Sequence, residues 1–339
     1  MIRIKNVISE KENKLDPKNI RDWLRGPMIP MATPFTEDFQ LDLEAFSYNV
    51  NFTIEHGVKT GNGALLVGGA AGEHPLLNIE ERKTIMTTAV EAANNRVPIL
   101  TSVQHTDPRI VIELAKHAAK VGLQAVQVSP LYYYPATDQD VLRLFKQVSE
   151  QIDISIMVYN TWWLGFHMNS DLLNQLAQIE IVRALKWAAP DQESFRGIIS
   201  SFHKELVIYD NTDQLSWSHA LGAQGFIGHL GTCWPEYPLR TWEVLEKRDY
   251  DGVEDHLDSF KVPWRRWVEK VQVLTAGEGP LVKAPMQIAG LPAGPPRPPA
   301  IRPPYHLIRE LEDIMKHAGV PNTALSYKSF LKHTKFQNS

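Results

Sequence analysis

Lys186 closes an apolar run, Ile181-Val182-Arg183-Ala184-Leu185-Lys186-Trp187-Ala188. An amine at the end of a buried segment loses the hydration of its charged form, so its pKa falls. The neutral amine is then a nucleophile that adds to a ketone and forms an imine. The same placement suits a lysine that only reaches the rim of the fold and pairs with a carboxylate, and position alone does not separate the two. Tyr159-Asn160 ends a second apolar run, and Ser129-Pro130-Leu131-Tyr132-Tyr133-Tyr134-Pro135 ends a third. Tyrosines in such places relay protons, or sit half-buried with a satisfied hydroxyl. A fourth run ends in Gly68-Gly69-Ala70-Ala71-Gly72-Glu73. Glycines there admit close backbone approach, and successive N–H groups cradle a carboxylate, although many tight turns share this composition.

Residues so far apart need a frame that gathers strand ends. The chain repeats an apolar strand, a turn and an amphipathic helix from near Pro27 onward. Val97 to Val103 is β-rich; Thr106-Asp107-Pro108 then offers an N-cap and a proline at the first helical position. Ile110, Val111, Leu114, Ala115, Ala118 and Ala119 follow at helical spacing, and Gly122 stops the helix. Asp138 to Ser149 is the next helix, with Val141, Leu144, Phe145 and Val148 on one face, and Leu172 to Ala177 is another. Strands are expected near 28–33, 63–68, 97–103, 125–129, 154–159, 181–187, 206–210 and 224–229. Eight strands alternating with helices predict a parallel sheet closed into a (β/α)8 TIM barrel over 26–234, an α/β fold whose catalytic groups sit at the C-terminal strand ends. An open doubly wound sheet is the alternative, disfavoured because no GxGxxG follows the first strand. From 235 to 320 strand signals give way to helical ones, as in Tyr250–Thr275, and predict a C-terminal helical appendage. Residues 1–25 read as a polar N-terminal extension that packs outside or frays, 321–339 as a tail, and the proline-rich Leu291–Tyr305 as a stiff surface connection.

Of the 339 residues, 43% are hydrophobic and 22% charged, and the formal net charge is −4. That balance points away from nucleic acid or an anionic membrane as the main partner. Cys233 stands alone, so neither an internal disulfide nor a cysteine-based zinc site is available. No run of 18 apolar residues exists and the N-terminus has no secretory h-region; a cytoplasmic protein is expected.

Taken together, in order and spacing, these motifs resemble the dihydrodipicolinate synthase / N-acetylneuraminate lyase family of class I pyruvate aldolases, across almost the whole barrel and appendage. The family's Gly-(Thr/Ser)-Thr-Gly-Glu turn corresponds to Gly69-Ala70-Ala71-Gly72-Glu73, its Tyr-Asn to Tyr159-Asn160, and its lysine to Lys186-Trp187-Ala188. Thr33-Pro34-Phe35, Ser129-Pro130 and Lys316-His317-Ala318-Gly319 add to the likeness. The resemblance implies that Lys186 forms an imine with pyruvate or another 2-oxo acid and that Tyr159 shuttles protons at the imine carbon and leaving oxygen. It implies that the amides of Ala70 and Ala71 hold the substrate carboxylate, that Tyr132 completes a proton relay, often across a subunit interface, and that Ile227 lines the site through its main chain. A homo-oligomer, dimer or tetramer, is expected, with a small-molecule 2-oxo acid as partner and neither cofactor nor metal.

Two departures matter. Both hydroxyl residues of the family turn are alanine here, which spares amide binding but removes a hydroxyl relay. Proton transfer then runs through Tyr159 and water or through another donor; His167 and His229 stand near the right strand ends, although rim or core histidines occur in such places too. The second departure is the loop Thr161-Trp162-Trp163-Leu164-Gly165-Phe166, which lacks the arginine that synthases of lysine biosynthesis carry there. Trp162 and Trp163 either pack on the rim or form an aromatic wall for a flat or cationic tail; Asp210 and Asp213 would add negative charge, or would be solvated or cap the next helix. The expectation is a lyase that cleaves or forms a 4-hydroxy-2-oxo acid, and not dihydrodipicolinate synthase proper. An imine-dependent dehydratase or deaminase, and a non-catalytic 2-oxo-acid-binding member, are the alternatives.

Overall fold

The computed structural model describes Leu15, residues 19–130 and residues 133–322. Tyr132 and most of the expected tail and N-terminal extension lie outside the described residues. Eight strands, β1 (Gly26–Pro30), β2 (Ala64–Val67), β3 (Ile99–Ser102), β4 (Ala125–Val128), β5 (Ser155–Tyr159), β6 (Val182–Trp187), β7 (Val207–Asp210) and β8 (Gly225–Ile227), pair in parallel in chain order, and β8 returns to β1. The predicted TIM barrel is therefore observed. Helices α2 (Leu43–Glu55), α3 (Ile79–Ala93), α4 (Pro108–Val121), α5 (Asp138–Ser149), α6 (Ser170–Ala177), α7 (Gln192–Phe202) and α8 (Leu215–Ala220) separate the strands. After β8 come α9 (Glu236–Glu246), α10 (Tyr250–Gln272), α11 (Gly279–Ile288) and α12 (Tyr305–Ala318).

Local chemistry fixes these elements. The Asp107 side chain accepts from Arg109 N at the start of α4, Pro108 follows at the first helical position, and Gly122 ends the helix at φ 98°. Thr137 and Asp140 form a reciprocal capping box on α5. No helix among the described residues is long and apolar enough to cross a membrane.

Strand alternation decides what faces the barrel axis. Met28, Leu66, Leu100, Ala125, Met157, Ala184, Val207, Tyr209 and Ile227 share one interior cluster, while Leu65, Val126, Leu185 and Ile208 pack outward against the helices. Lys186, two residues beyond Ala184, thus points inward. The interior cluster also contains Ile20, Trp23 and Leu24. Residues 20–24, inside the expected extension, therefore do not pack outside: α1 (Ile20–Trp23) plugs the barrel at the end where the strands begin, because its apolar side chains find their burial there.

The C-terminal helices are bolted to the strand-end face by a buried ion pair. Lys283 of α11 is 1% exposed; its Nζ lies 2.5 Å from Glu73 Oε1, donates to Pro295 O at 2.8 Å and sits 4.1 Å from the Phe35 ring centroid. Arg297 N donates to the other Glu73 oxygen at 2.9 Å. Gly279 is needed here, since a Cβ would come within 2.4 Å of Glu73 Cδ. Removing one member of such a pair strands a charge in a dry site, at a cost of about 3–5 kcal/mol. Lys283→Met should lower stability by about that much in urea unfolding, and Glu73→Gln added to it should recover part of the loss. A single-variant loss below about 1 kcal/mol would contradict the role of the pair.

Candidate active site

β5 and β6 place Tyr159 beside Lys186, and β6 and β7 place Lys186 beside Tyr209. Lys186 is 6% exposed, and its Nζ lies 4.1 Å from the centroid of the Tyr159 ring. Burial lowers its pKa to about 8, against the opposing charge of Glu278. An appreciable fraction of the amine is therefore neutral near pH 7.5, as imine formation requires. Burial raises the Tyr159 phenol, and the Glu278 charge raises it further, while a 3.4 Å hydrogen bond from Asn211 Nδ2 works the other way. The resting Tyr159 phenol thus keeps its proton through the neutral range, with its ring against the amine.

The turn after β2 begins with Gly68 at φ 57° and closes with Glu73 at φ 56°. Its internal hydrogen bonds run from Glu73 N to Ala70 O and from His74 N to Gly69 O, and Thr33 Oγ1 donates to Gly72 O at 2.7 Å. Among the described residues those bonds leave the Ala70 and Ala71 N–H groups uncommitted. Ala70 is exposed; Ala71 is fully buried in the cluster that holds Leu230, Leu281 and Val282. An unpaired hydroxyl in that apolar setting would be costly, which gives alanine at 71 a packing reason. His74 is buried beside this turn; burial first, then the charge of Arg82, brings its pKa to about 3, so it is neutral.

Asn160 pins the loop after β5. Its amide donates to Ala188 O at 2.7 Å, lies 3.0 Å from His167 Nδ1, and accepts from Met168 N at 3.0 Å. His167 rests on Trp187 at 5.6 Å and is turned to this framework; burial lowers its pKa, with Asp191 opposing. Trp162–Leu164 form a 3-10 turn ended by Gly165 at φ 103°. The Trp163 ring meets the Tyr159 ring edge-on at 5.8 Å, and Trp162 meets Trp163 at 5.9 Å, both partly exposed. The indoles therefore continue the wall that starts at Tyr159.

A cavity of ≈ 320 Å³ opens beside Ile227 and Asn211, lined also by His229, Trp264, Arg265 and Glu278. Asp210, expected among the substrate contacts, is corrected by strand parity: it follows inward-facing Tyr209, so it is buried on the helix side. There Oδ1 accepts from Thr212 N at 2.6 Å and Thr212 Oγ1 at 2.8 Å, and burial raises its pKa to about 6. Asp213 does reach the cavity, but Lys261 at 3.1 Å and Arg265 at 2.5 Å already neutralise it. Sequence reasoning missed Arg265 of α10 and Glu278 at the start of α11. Both arrive from the helical region by tertiary packing, and no local spacing marks them.

A sequence profile of the Dihydrodipicolinate synthetase family matches residues 24–318. The 4-hydroxy-tetrahydrodipicolinate synthase of Exiguobacterium sp. is 29% identical over 279 residues, covering 81% of this chain and 92% of its own. The fold is similar to that of the dihydrodipicolinate synthase of Aquifex aeolicus, with a TM-score of 0.77 at 24% identity over 88% of this chain and 99% of that one. It is similar also to a prophage protein of the dihydrodipicolinic acid synthase family from E. coli K12 whose structure was solved with pyruvate, with a TM-score of 0.78 at 23% identity over 87% and 99% of the two chains.

Proposed function

Because this chain belongs to the dihydrodipicolinate synthetase family, whose members are pyruvate-dependent carbon–carbon lyases and synthases, we propose that it is a class I aldolase that cleaves a 4-hydroxy-2-oxo acid to pyruvate and an aldehyde, or runs the reverse condensation. The observation that carries this reading is the buried Lys186 amine with its depressed pKa, 4.1 Å from the ring of Tyr159. The amine adds to the 2-oxo carbon, and Tyr159 gives a proton to the departing carbinolamine oxygen. The protonated imine then accepts the electron pair of the C3–C4 bond, so no free carbanion forms. The uncommitted amides of Ala70 and Ala71 hold the 1-carboxylate, and the Ile227 main chain borders the chain beyond it. Tyr132 is proposed to complete the proton relay. A pyruvate-release assay over a panel of 4-hydroxy-2-oxo acids tests the reading: release dependent on Lys186 supports it, and water or ammonia elimination without pyruvate would replace it by the dehydratase or deaminase chemistry of the same imine.

The tail beyond C4 is proposed to be neutral, aromatic or cationic. The cavity carries Asp213, Glu269 and Glu278 against one guanidinium, Arg265, which Asp213 already holds. A carboxylate buried there without a partner would cost several kcal/mol. A ring or cation on the Trp162 or Trp163 face gains about 0.5–2 kcal/mol. We expect kcat/KM to be lowest for anionic tails and to fall in Trp163→Ala; preference for an anionic tail would end the idea.

A homo-oligomer is proposed as well. Tyr133 and Tyr134, 81% and 77% exposed in this single chain, leave a large aromatic surface next to the end of β4, and such patches mark contacts between proteins. Light scattering should give a dimer or tetramer, and a species of monomer mass alone at working concentration would contradict it.

A further inference from the structure

A tyrosine that both gives and takes protons spends part of each turnover as a phenolate. Tyr159 is buried, and an anion formed away from water needs a fixed hydrogen-bond donor. The β2 turn has no hydroxyl to offer, since both positions are alanine. Asn160, next in the chain, is committed to Ala188 O, His167 and Met168 N. Among the described residues, the side chain that hydrogen-bonds the phenol oxygen is that of Asn211, whose Nδ2 donates to it at 3.4 Å. The end of β7 holds that amide in place. Tyr209 faces the barrel axis and Asp210 the helices, so Asn211 returns to the inner face, one layer above the paired Lys186 and Tyr209. Its backbone N–H donates to Trp187 O at 2.9 Å and extends the β6–β7 ladder past Asp210. Buried Asp210 accepts from Thr212 N and Thr212 Oγ1, which clamps the turn just beyond Asn211. Asn211 also lines the cavity that holds Ile227 and Glu278. It stands where the phenol meets the space open to a substrate, and its bond works against the rise that burial gives the phenol.

We propose that Asn211 is the positioning residue of Tyr159: its side-chain amide aims the phenol and stabilises the phenolate whenever the proton is on the substrate, a task for which the alanine turn has no hydroxyl. The inference rests on the aldolase reading above. Tyr159 gives its proton to the carbinolamine oxygen, water leaves, and the Asn211 N–H holds the phenolate. The phenolate takes the proton of the C4 hydroxyl as the C3–C4 electron pair moves into the imine, which leaves an enamine and an aldehyde. That proton then passes to C3. The phenolate formed a second time recovers a proton from the water that hydrolyses the imine, and pyruvate departs with Lys186 and Tyr159 as they began.

The test uses the full chain and pyruvate, which has no tail, so a contact between Asn211 and a substrate tail cannot enter the result. The extent of borohydride trapping reports the imine; exchange of the pyruvate methyl protons in D2O, followed by NMR, reports proton transfer at C3. Asn211→Leu keeps the bulk and cannot donate. It should trap pyruvate to the same extent as the unaltered protein and lose roughly 10–100-fold in exchange, the worth of one hydrogen bond to a charged group. In Tyr159→Phe, which lacks the oxygen, adding Asn211→Leu should cost less than about threefold more, because the two changes remove one interaction. A merely structural role would give the same loss in both backgrounds. Exchange within about threefold of normal in Asn211→Leu, equal losses in the two backgrounds, reduced trapping by Asn211→Leu, or normal exchange by Tyr159→Phe would each overturn the proposal. Failure of the unaltered protein to trap any 2-oxo acid would instead overturn the aldolase reading.

Discussion

Lys186→Ala is expected to abolish cleavage of any 4-hydroxy-2-oxo acid, with kcat/KM down by at least about 10⁴-fold. Without the amine there is no imine, and the electron pair of the breaking bond has nowhere to go but a free enolate. Lys186→Arg should fail equally, because a guanidinium keeps the charge and cannot form the imine. The pH dependence follows from the same site. Burial brings the Lys186 pKa to about 8, and only the neutral amine attacks, so the trapping rate should rise as pH passes through about 8 and level off above it. A trapping rate that falls over this range would contradict the assignment, as would pyruvate release by Lys186→Ala.

Tyr159→Phe should lower kcat by roughly 10²–10⁴-fold, the range for a positioned acid–base group. The ring lies against Lys186 Nζ and Trp163, so phenylalanine keeps the packing and removes only the hydroxyl and its bond to Asn211. Pyruvate should still bind, while formation and hydrolysis of the imine slow together. Turnover within a few-fold of normal would refute the role.

Most of the barrel could be read from the chain because its signals are local. Caps at Asp107 and Thr137, the stop at Gly122 and the short apolar runs mark where helices and strands change over, and the eight observed strands fall within or beside the expected ranges. The first begins earlier, at Gly26, because its N–H pairs with Gln224 O when the barrel closes, a contact that only the ring supplies. The plug formed by Ile20, Trp23 and Leu24 was hidden in a polar stretch, and three apolar side chains without periodicity announce nothing by themselves. α10 and α11 run through Pro263 and Pro285, which sequence rules treat as helix breakers. Within the site, Lys186, Tyr159 and the alanine turn lie at strand ends, where motif and topology agree. Asp210 was misplaced although alternation bore on it: with Tyr209 inside, the next residue must face out. Glu278 and Arg265 come from helices whose approach to the mouth is set by packing around Lys283, Glu73 and Asp213, and no spacing within the chain encodes it.

Reductive trapping with mass mapping bears most directly on the central claim. Among the described residues, two buried lysines, Lys186 and Lys283, have their pKa brought to about 8. Only Lys186 faces the barrel mouth, whereas Lys283 is paired with Glu73. Incubation with pyruvate and borohydride, followed by digestion and peptide mass analysis, should place a single adduct on Lys186 and none in Lys186→Ala. An adduct on Lys283, or one that persists in Lys186→Ala, would contradict the account.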